Sequence, residues 1–277
     1  MSGRDRPQAG TIKQVSSLSN QTIKDVRALA MRKRRVETGL FVAEGLKLVL
    51  DALEAGWPPK ILLVATDTLS HPATARAAVA ARAAGAEGLE VSEAVMGSVT
   101  RRDNPQAVVG EREQRIGDLS AIDPARTTVW VALEQVRDPG NLGTIVRTAD
   151  AAGASGVLLI GETTDPFGIE AVRASMGSLF HLPLAKASRE AFLAWRPSFP
   201  GPVIGTHLAG DDDLRALTYP EPAMLLMGGE QAGLSEAIAA ACDRLVKIPM
   251  AGKADSLNLA VSTGIALFEM RRGRLSL

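Results

Sequence analysis

The chain has 277 residues, 46% hydrophobic, 22% charged and 4% aromatic, and its 31 Lys/Arg are balanced by 31 Asp/Glu. This is a globular composition, long enough for two domains or one large one, and no apolar run approaches the roughly 18 residues that span a bilayer. Cys242 is the sole cysteine and His71, His181 and His207 lack ligand spacing. These counts exclude an intramolecular disulfide framework and a cysteine-rich metal site, and no metal is expected.

The neutral total hides an asymmetry. Residues 1–35 hold nine Lys/Arg against two Asp/Glu, an excess of +7, which leaves 22 against 29, or −7, for the rest. Residues 1–20 lack the apolar core of a signal peptide and read as a flexible basic tail in preference to a transit segment, so the expected location is the cytoplasm. A helix is predicted from about Thr22 to Arg35, ending in Arg32-Lys33-Arg34-Arg35. Such a cluster suits a phosphate backbone or a solvated helix end that complements the dipole.

A short strand and turn follow at 39–45, then an amphipathic helix over Leu46–Ala55 closed by Gly56. Lys60–Ala65 reads as a buried strand, Ala73–Ala84 as a helix stopped by Gly85, Leu89–Val91 as a strand, and 92–99 as a short helix capped by Ser92. From Gly110 to Arg126 the periodicity weakens. The expected organisation is therefore a tail (1–20), a compact α/β domain (21–112), a linker (113–126) and a second domain (127–277).

From Thr127 the alternation becomes regular. Strands are predicted at Val129–Leu133, Gly156–Ile160, Leu182–Leu184, Val203–Thr206, Ala223–Met227 and Leu245–Ile248. Helices are predicted near Gly143–Ala152, Ile169–Ser175, Arg189–Trp195, Leu214–Leu217 and Ser235–Ala241. This pattern argues an α/β fold with a mostly parallel sheet covered on both faces. Cys242 reads as a packing residue in a helix, and His207, near a strand end, as a structural histidine.

Three strand-to-helix loops carry the chemistry. The first runs Glu134-Gln135-Val136-Arg137-Asp138-Pro139-Gly140-Asn141-Leu142-Gly143, with Arg147 on the following helix. It lacks the G-x-G-x-x-G dinucleotide spacing, which counts against a nucleotide-dependent oxidoreductase. The second, Gly228-Gly229-Glu230-Gln231-Ala232-Gly233-Leu234-Ser235, lets a ligand approach the backbone closely. The third runs from Ile248-Pro249-Met250 through Gly252-Lys253-Ala254-Asp255-Ser256 to Leu257-Asn258, and Ser256 reads as the N-cap of the last helix. Gly252-Lys253 lacks the upstream glycine of a phosphate-binding loop. Ligands of open α/β sheets bind where such loops sit, at the carboxyl ends of strands.

Taken in register, Pro139-Gly140-Asn141-x-Gly143-x-x-x-Arg147, Gly228-x-Glu230-x-x-Gly233-Leu234-Ser235 and Ile248-Pro249-Met250-x-Gly252-x-x-x-Ser256-Leu257-Asn258 resemble the SpoU/TrmH-type RNA ribose 2′-O-methyltransferases of the SPOUT class. Arg173-Ala174-Ser175-Met176-Gly177 resembles a further family segment. Residues 36–112 resemble, more loosely, the family's small RNA-binding domain with a ribosomal-protein-like fold. Gln231-Ala232 departs from the usual small or acidic pair.

The resemblance implies a C-terminal trefoil knot, a rare exception among folds, and S-adenosylmethionine bound by it. The matching cofactor positions are Gly228, Ile248 and Leu257, with Thr206, Leu208, Gly229 and Met250 beside them. It further implies a homodimer and a structured RNA substrate, ribosomal ahead of transfer RNA because an N-terminal domain is present. A catalytically silent RNA-binding knot protein is the alternative. Arg147 matches the family's essential arginine. A guanidinium, with a pKa above about 12, is a poor base, so gripping phosphate and stabilising a developing alkoxide suits it better. Asn141, Glu230, Ser256 and Asn258 are expected to orient Arg147 and the ribose.

Overall fold

A computed structural model of the chain describes residues 12–101 and 104–276. The chain divides into two compact units: residues 1–114 with Phe167–Arg173, and residues 115–166 with 174–277.

The first unit is built from β1 (Ile12–Val15), α1 (Gln21–Ala28), α2 (Arg32–Thr38), β2 (Leu40–Glu44), α3 (Leu46–Glu54), β3 (Ile61–Ala65), α4 (Pro72–Ala83), β4 (Glu87–Val91), α5 (Glu93–Thr100) and β5 (Val108–Glu113). Its sheet runs β1-β4-β3-β5-β2, with β5 antiparallel to both neighbours. Ile23, Val26, Leu63, Leu89 and Met96 form the core on one face, and Val49, Leu62, Val64, Ala77 and Ala81 that on the other. The period-two alternation of β3 supplies both.

Three features differ from the sequence reading. Residues 12–15, expected in a tail, form an edge strand parallel to β4, with Lys13 paired to Glu87 at 2.8 Å; the first eleven residues of that tail lie outside the described residues. The helix expected to run unbroken to Arg35 is two helices. Arg35 is buried, and its guanidinium donates to the carbonyls of Leu29 (2.7 Å) and Ala30 (3.0 Å) where α1 ends. One member of the basic cluster is thus a capping group with no surface to offer. Strand β5 went unseen because its alternation is broken by buried charges. Arg112, fully buried, donates to the carbonyls of Trp57 (3.0 Å) and Val49 (3.2 Å). Burial pushes its pKa down to about 10, so the guanidinium stays charged at neutral pH. A Cβ on Gly110 would overlap that guanidinium, which explains the glycine in mid-strand.

The segment Phe167–Arg173, which contains most of α7 (Ile169–Ala174), completes this first unit. Phe167 packs against Phe41 with the rings tilted by 48° and their centroids 4.9 Å apart, and Arg173 pairs with the buried Glu44.

The second unit holds β6 (Val129–Glu134), α6 (Pro139–Ala151), β7 (Gly156–Ile160), β8 (Leu184–Ala187), α8 (Arg189–Trp195), β9 (Val203–Thr206), β10 (Asp212–Asp213), β11 (Ala223–Met227), α9 (Glu236–Ala240), β12 (Arg244–Lys247) and α10 (Leu259–Arg271). The sheet is wholly parallel, in the order β10-β12-β9-β11-β6-β7-β8. Trp130, Leu158, Ile160, Met224 and Leu226 face Phe192 of α8 and Ile238 of α9. On the opposite face α10 packs on α6 and β11. Chain direction across the sheet reverses between β6 and β11, so the loops after these two strands flank the switch point, where ligands of open α/β sheets bind.

Among the described residues no helix is long and apolar enough to cross a membrane, and no cluster of His, Cys, Asp or Glu could hold a metal ion.

Candidate active site

The loop after β6 enters α6 through Asp138, whose carboxylate accepts from Asn141 N at 2.6 Å, and Pro139 follows at the first helical position. An acidic cap followed by Pro is a strong helix start. It places Asn141 in the first turn, with its side chain free to reach outward. The helix was expected to begin only at Gly143; the Asp-Pro pair was the signal for the earlier start.

The loop after β11 folds back tightly. Gly233 N donates to Gly229 O at 3.0 Å, and Gly233 holds φ at +65°. A Cβ on Gly228 would overlap the Gly233 carbonyl carbon, and one on Gly229 would lie 2.9 Å from Gln135 O. Backbone therefore meets backbone here, with no space for side chains. The turn holds Glu230 against the first loop. The Glu230 carboxylate accepts from Arg137 N and Asp138 N, both at 3.3 Å, and from Asn141 Nδ2 at 3.2 Å. Partial burial pushes its pKa upward, but a hydrogen bond from its own backbone amide, together with these three, outweighs burial and holds it below the ordinary 4.5. Glu230 is thus an anion at neutral pH that only accepts.

The third loop joins through Asn258. Its Nδ2 donates to Asn141 Oδ1 at 2.9 Å, while its Oδ1 accepts from Ala260 N (2.9 Å) and Val261 N (3.3 Å). Asn258 is therefore the N-cap of α10 as well as the link to Asn141. Ser256, expected as the cap, lies two residues too early; its hydroxyl meets only Asp255, at 3.3 Å.

Of the five expected catalytic residues, Asn141, Glu230 and Asn258 form one chain of hydrogen bonds across three loops. Ser256 stands outside it. Arg147 is exposed on α6 and makes no hydrogen bond or ion pair among the described residues, so nothing among them orients it.

The expected cofactor positions lie along the ends of β9, β11 and β12. Thr206 donates to Met227 Sδ at 3.3 Å. Leu208, Met250 and Leu257 are exposed, Leu208 by 72%. Among the described residues no hydrogen bond ties the backbone amides of 250–257. Apolar side chains beside free backbone groups and a side-chain-free Gly228-Gly229 turn are the features that an adenosyl group needs, so these residues fit such a ligand.

Sequence reasoning missed Glu134. Buried at the end of β6, it accepts from Ser235 N (2.8 Å), Ser235 Oγ (2.7 Å) and Arg189 Nε (2.9 Å), and so anchors the exit of the 228–235 loop. A lone acid ending an apolar strand was its only signal. His207 is structural, with Nδ1 accepting from Ala209 N at 3.0 Å. Cys242 lies just beyond α9 and donates to Ile238 O at 3.4 Å; burial raises its thiol pKa to about 12, which suits packing and not nucleophilic chemistry.

Residues 128–268 match the SpoU rRNA Methylase family, and residues 20–110 match the MRM3-like substrate binding domain. The chain is 53% identical to an AdoMet-bound rRNA methyltransferase from Sinorhizobium meliloti, covering 96% of this chain and 99% of that one with a TM-score of 0.87. It is 33% identical to the 23S rRNA (uridine(2479)-2′-O)-methyltransferase of Streptomyces viridochromogenes, over 90% of this chain and 88% of the relative. To the 23S rRNA (guanosine(2553)-2′-O)-methyltransferase RlmP of Bacillus subtilis it is 31% identical, over 94% and 100%.

Proposed function

Because the chain belongs to the SpoU family of S-adenosylmethionine-dependent RNA ribose 2′-O-methyltransferases, we propose that it methylates 23S ribosomal RNA at the Asn141–Glu230–Asn258 frame. The observation that carries this reading is the hydrogen-bonded chain joining the three loops at the sheet's switch point. S-adenosylmethionine, when bound, supplies the methyl group. Gly228, Gly229, Thr206, Leu208, Ile248, Met250 and Leu257 hold it, mainly through backbone groups and apolar contact.

Glu230 locks the Asn141 side chain, and Asn141 in turn fixes Asn258. This rigid frame positions the ribose, which is how oriented groups lower a barrier. Arg147, unpaired among the described residues, is available to grip an RNA phosphate and to stabilise charge on the 2′-oxygen as its proton leaves. The two 23S relatives act on a uridine and a guanosine, so the base varies within the family while the ribose chemistry stays.

The functional unit is a homodimer. Helix α10 is apolar nearly all round, and such a helix is normally buried. Val261 (51% exposed), Ile265 (41%) and Phe268 (44%) nevertheless face outward in one stripe, continued by Leu257. A second copy of the stripe is its natural cover. A knot formed by residues 223–234 and 244–272 belongs to the same reading; the closed 228–235 turn and the return of α10 onto α6 and β11 support it.

Two measurements test the function together. Calorimetry should show saturable S-adenosylmethionine binding to the isolated protein, and labelled methyl should pass to a 23S rRNA transcript as an alkali-resistant 2′-O-methyl linkage. Absence of donor binding at millimolar concentration would overturn the proposal.

A further inference from the structure

Beside the frame lies an open cleft of about 240 Å³ between Gln135, Arg137 and Asp138 on one wall and Glu230, Gln231 and Ala232 on the other. Its size falls below the roughly 300–1,000 Å³ of pockets for drug-sized ligands. A single ring system fits it better than a whole methyl donor. None of the expected cofactor positions except Gly229 lines it.

The cleft divides into locked and free groups. Glu230 and Asp138 are engaged, one by three donors and the other as the cap of α6. The side chains of Gln135, Arg137 and Gln231 make no hydrogen bond among the described residues. Gln135 also holds φ at +56°, a conformation that a non-glycine residue adopts only when its surroundings impose it. Here Gln135 N donates to Ile160 O at 3.2 Å, and its carbonyl is packed against Gly229. The backbone of the cleft is thus fixed, while two carboxamides and a guanidinium stand idle around it.

We propose that this cleft receives the base of the nucleotide being methylated, and that Gln231 reads the base edge. The inference rests on the frame's being the seat of the reacting ribose, because Glu230 is shared by frame and cleft. A carboxamide presents a donor beside an acceptor, the pattern that matches the edge of an unstacked base, and RNA is read in sequence mainly through such splayed-out bases. Arg137 supplies a planar cation that stacks on a ring or bonds it in bidentate fashion. The departure of Gln231-Ala232 from the small or acidic pair usual at these positions gains a meaning: it sets which base this chain accepts.

The test uses transcripts of the 23S rRNA segment around the mapped methylation position, identical except for A, C, G or U there. The full-length wild type, Gln231→Ala, Gln231→Glu and Arg137→Ala are compared by kcat/KM, with donor affinity measured separately by calorimetry. Gln231→Ala should lose about 5- to 150-fold on the natural base, the span of one good base contact, and less on the other three, so that the ranking flattens. Gln231→Glu replaces a donor by an acceptor and should reorder the ranking, which a merely structural role would not do. Arg137→Ala should raise KM for all four, and donor affinity should hold throughout. Wild-type transfer to the natural transcript is the control that keeps failure of the parent reaction distinct from failure of this inference. If both Gln231 variants keep the wild-type ranking, the cleft does not read the base.

Discussion

Arg147 lies on α6 six residues after Asn141, an exposed guanidinium that the described residues leave unpaired. A group held ready for an anionic substrate has this character, whereas a structural arginine such as Arg112 has its carbonyl partners in place. Arg147→Ala should therefore abolish methyl transfer in single-turnover assays while calorimetric donor binding persists. Arg147→Lys, which keeps charge but loses the planar fork, should recover only a small part of the rate. The hydrogen bonds to Glu230 hold its pKa below 4.5, so their contribution is complete above that value and fades only as pH falls through the lower folded value. Glu230 consequently adds nothing to the rate profile at neutral or alkaline pH. A wild-type rate that levels off there fits Arg147 as an electrostatic group, and one that climbs far into the alkaline range would make it the proton acceptor instead. At this scale the sequence revealed the identities of Asn141, Glu230 and Asn258 but not their linkage. Choosing between Ser256 and Asn258 as cap required knowing that α10 starts at Leu259, which the continuous apolar spacing from Leu257 onward obscured.

Among the elements, those with unbroken apolar runs were legible: β6, β7, β9 and β11 lie within a residue of where the sequence puts them. Those organised by buried charge were not. Arg35, within α2, closes the end of α1 by satisfying its carbonyls, and Arg112 sits inside a strand; periodicity treats both as surface. The same finding reshapes the basic stretch. Removing residues 1–35 would take away Ile23, Val26 and Leu29, all core residues, so truncation cannot report on charge alone. Among the described residues of this stretch, Lys24, Arg27 and Arg32 are exposed and unpaired, and Lys33 is exposed with only Glu37 near it at 3.9 Å, so these four can meet RNA. Replacing these four by serine should weaken RNA binding in filter assays. It should also flatten the salt dependence by about 0.7–0.9 in log–log slope for each phosphate no longer neutralised, without change in donor affinity. An unchanged slope would leave the stretch as a solvated surface.

For the whole molecule, the alternation after Thr127 foretold a covered parallel sheet, and the sheet proves wholly parallel. What the pattern could not disclose is which apolar face of α10 points inward, since both faces carry apolar residues. The outward stripe gives the last prediction: Ile265→Glu with Phe268→Glu, both at exposed positions, should convert a micromolar dimer into a folded monomer by light scattering and abolish RNA methylation. An active monomeric wild type would refute it. The segment Phe167–Arg173 carries a different consequence, one of timing. A ribosome emits this chain from its N-terminus, and the partners of Phe41 and Glu44 come from residues 167 and 173, beyond two strands of the other unit. From residue 114 to residue 173 is 59 further residues, roughly 3–12 s of synthesis at about 5–20 residues per second. During that interval the first unit waits incomplete, with the side of Phe41 that Phe167 later covers still open. The nascent chain therefore cannot mature strictly one domain after another, and a gene fragment cut at residue 114 encodes a unit that lacks its last piece.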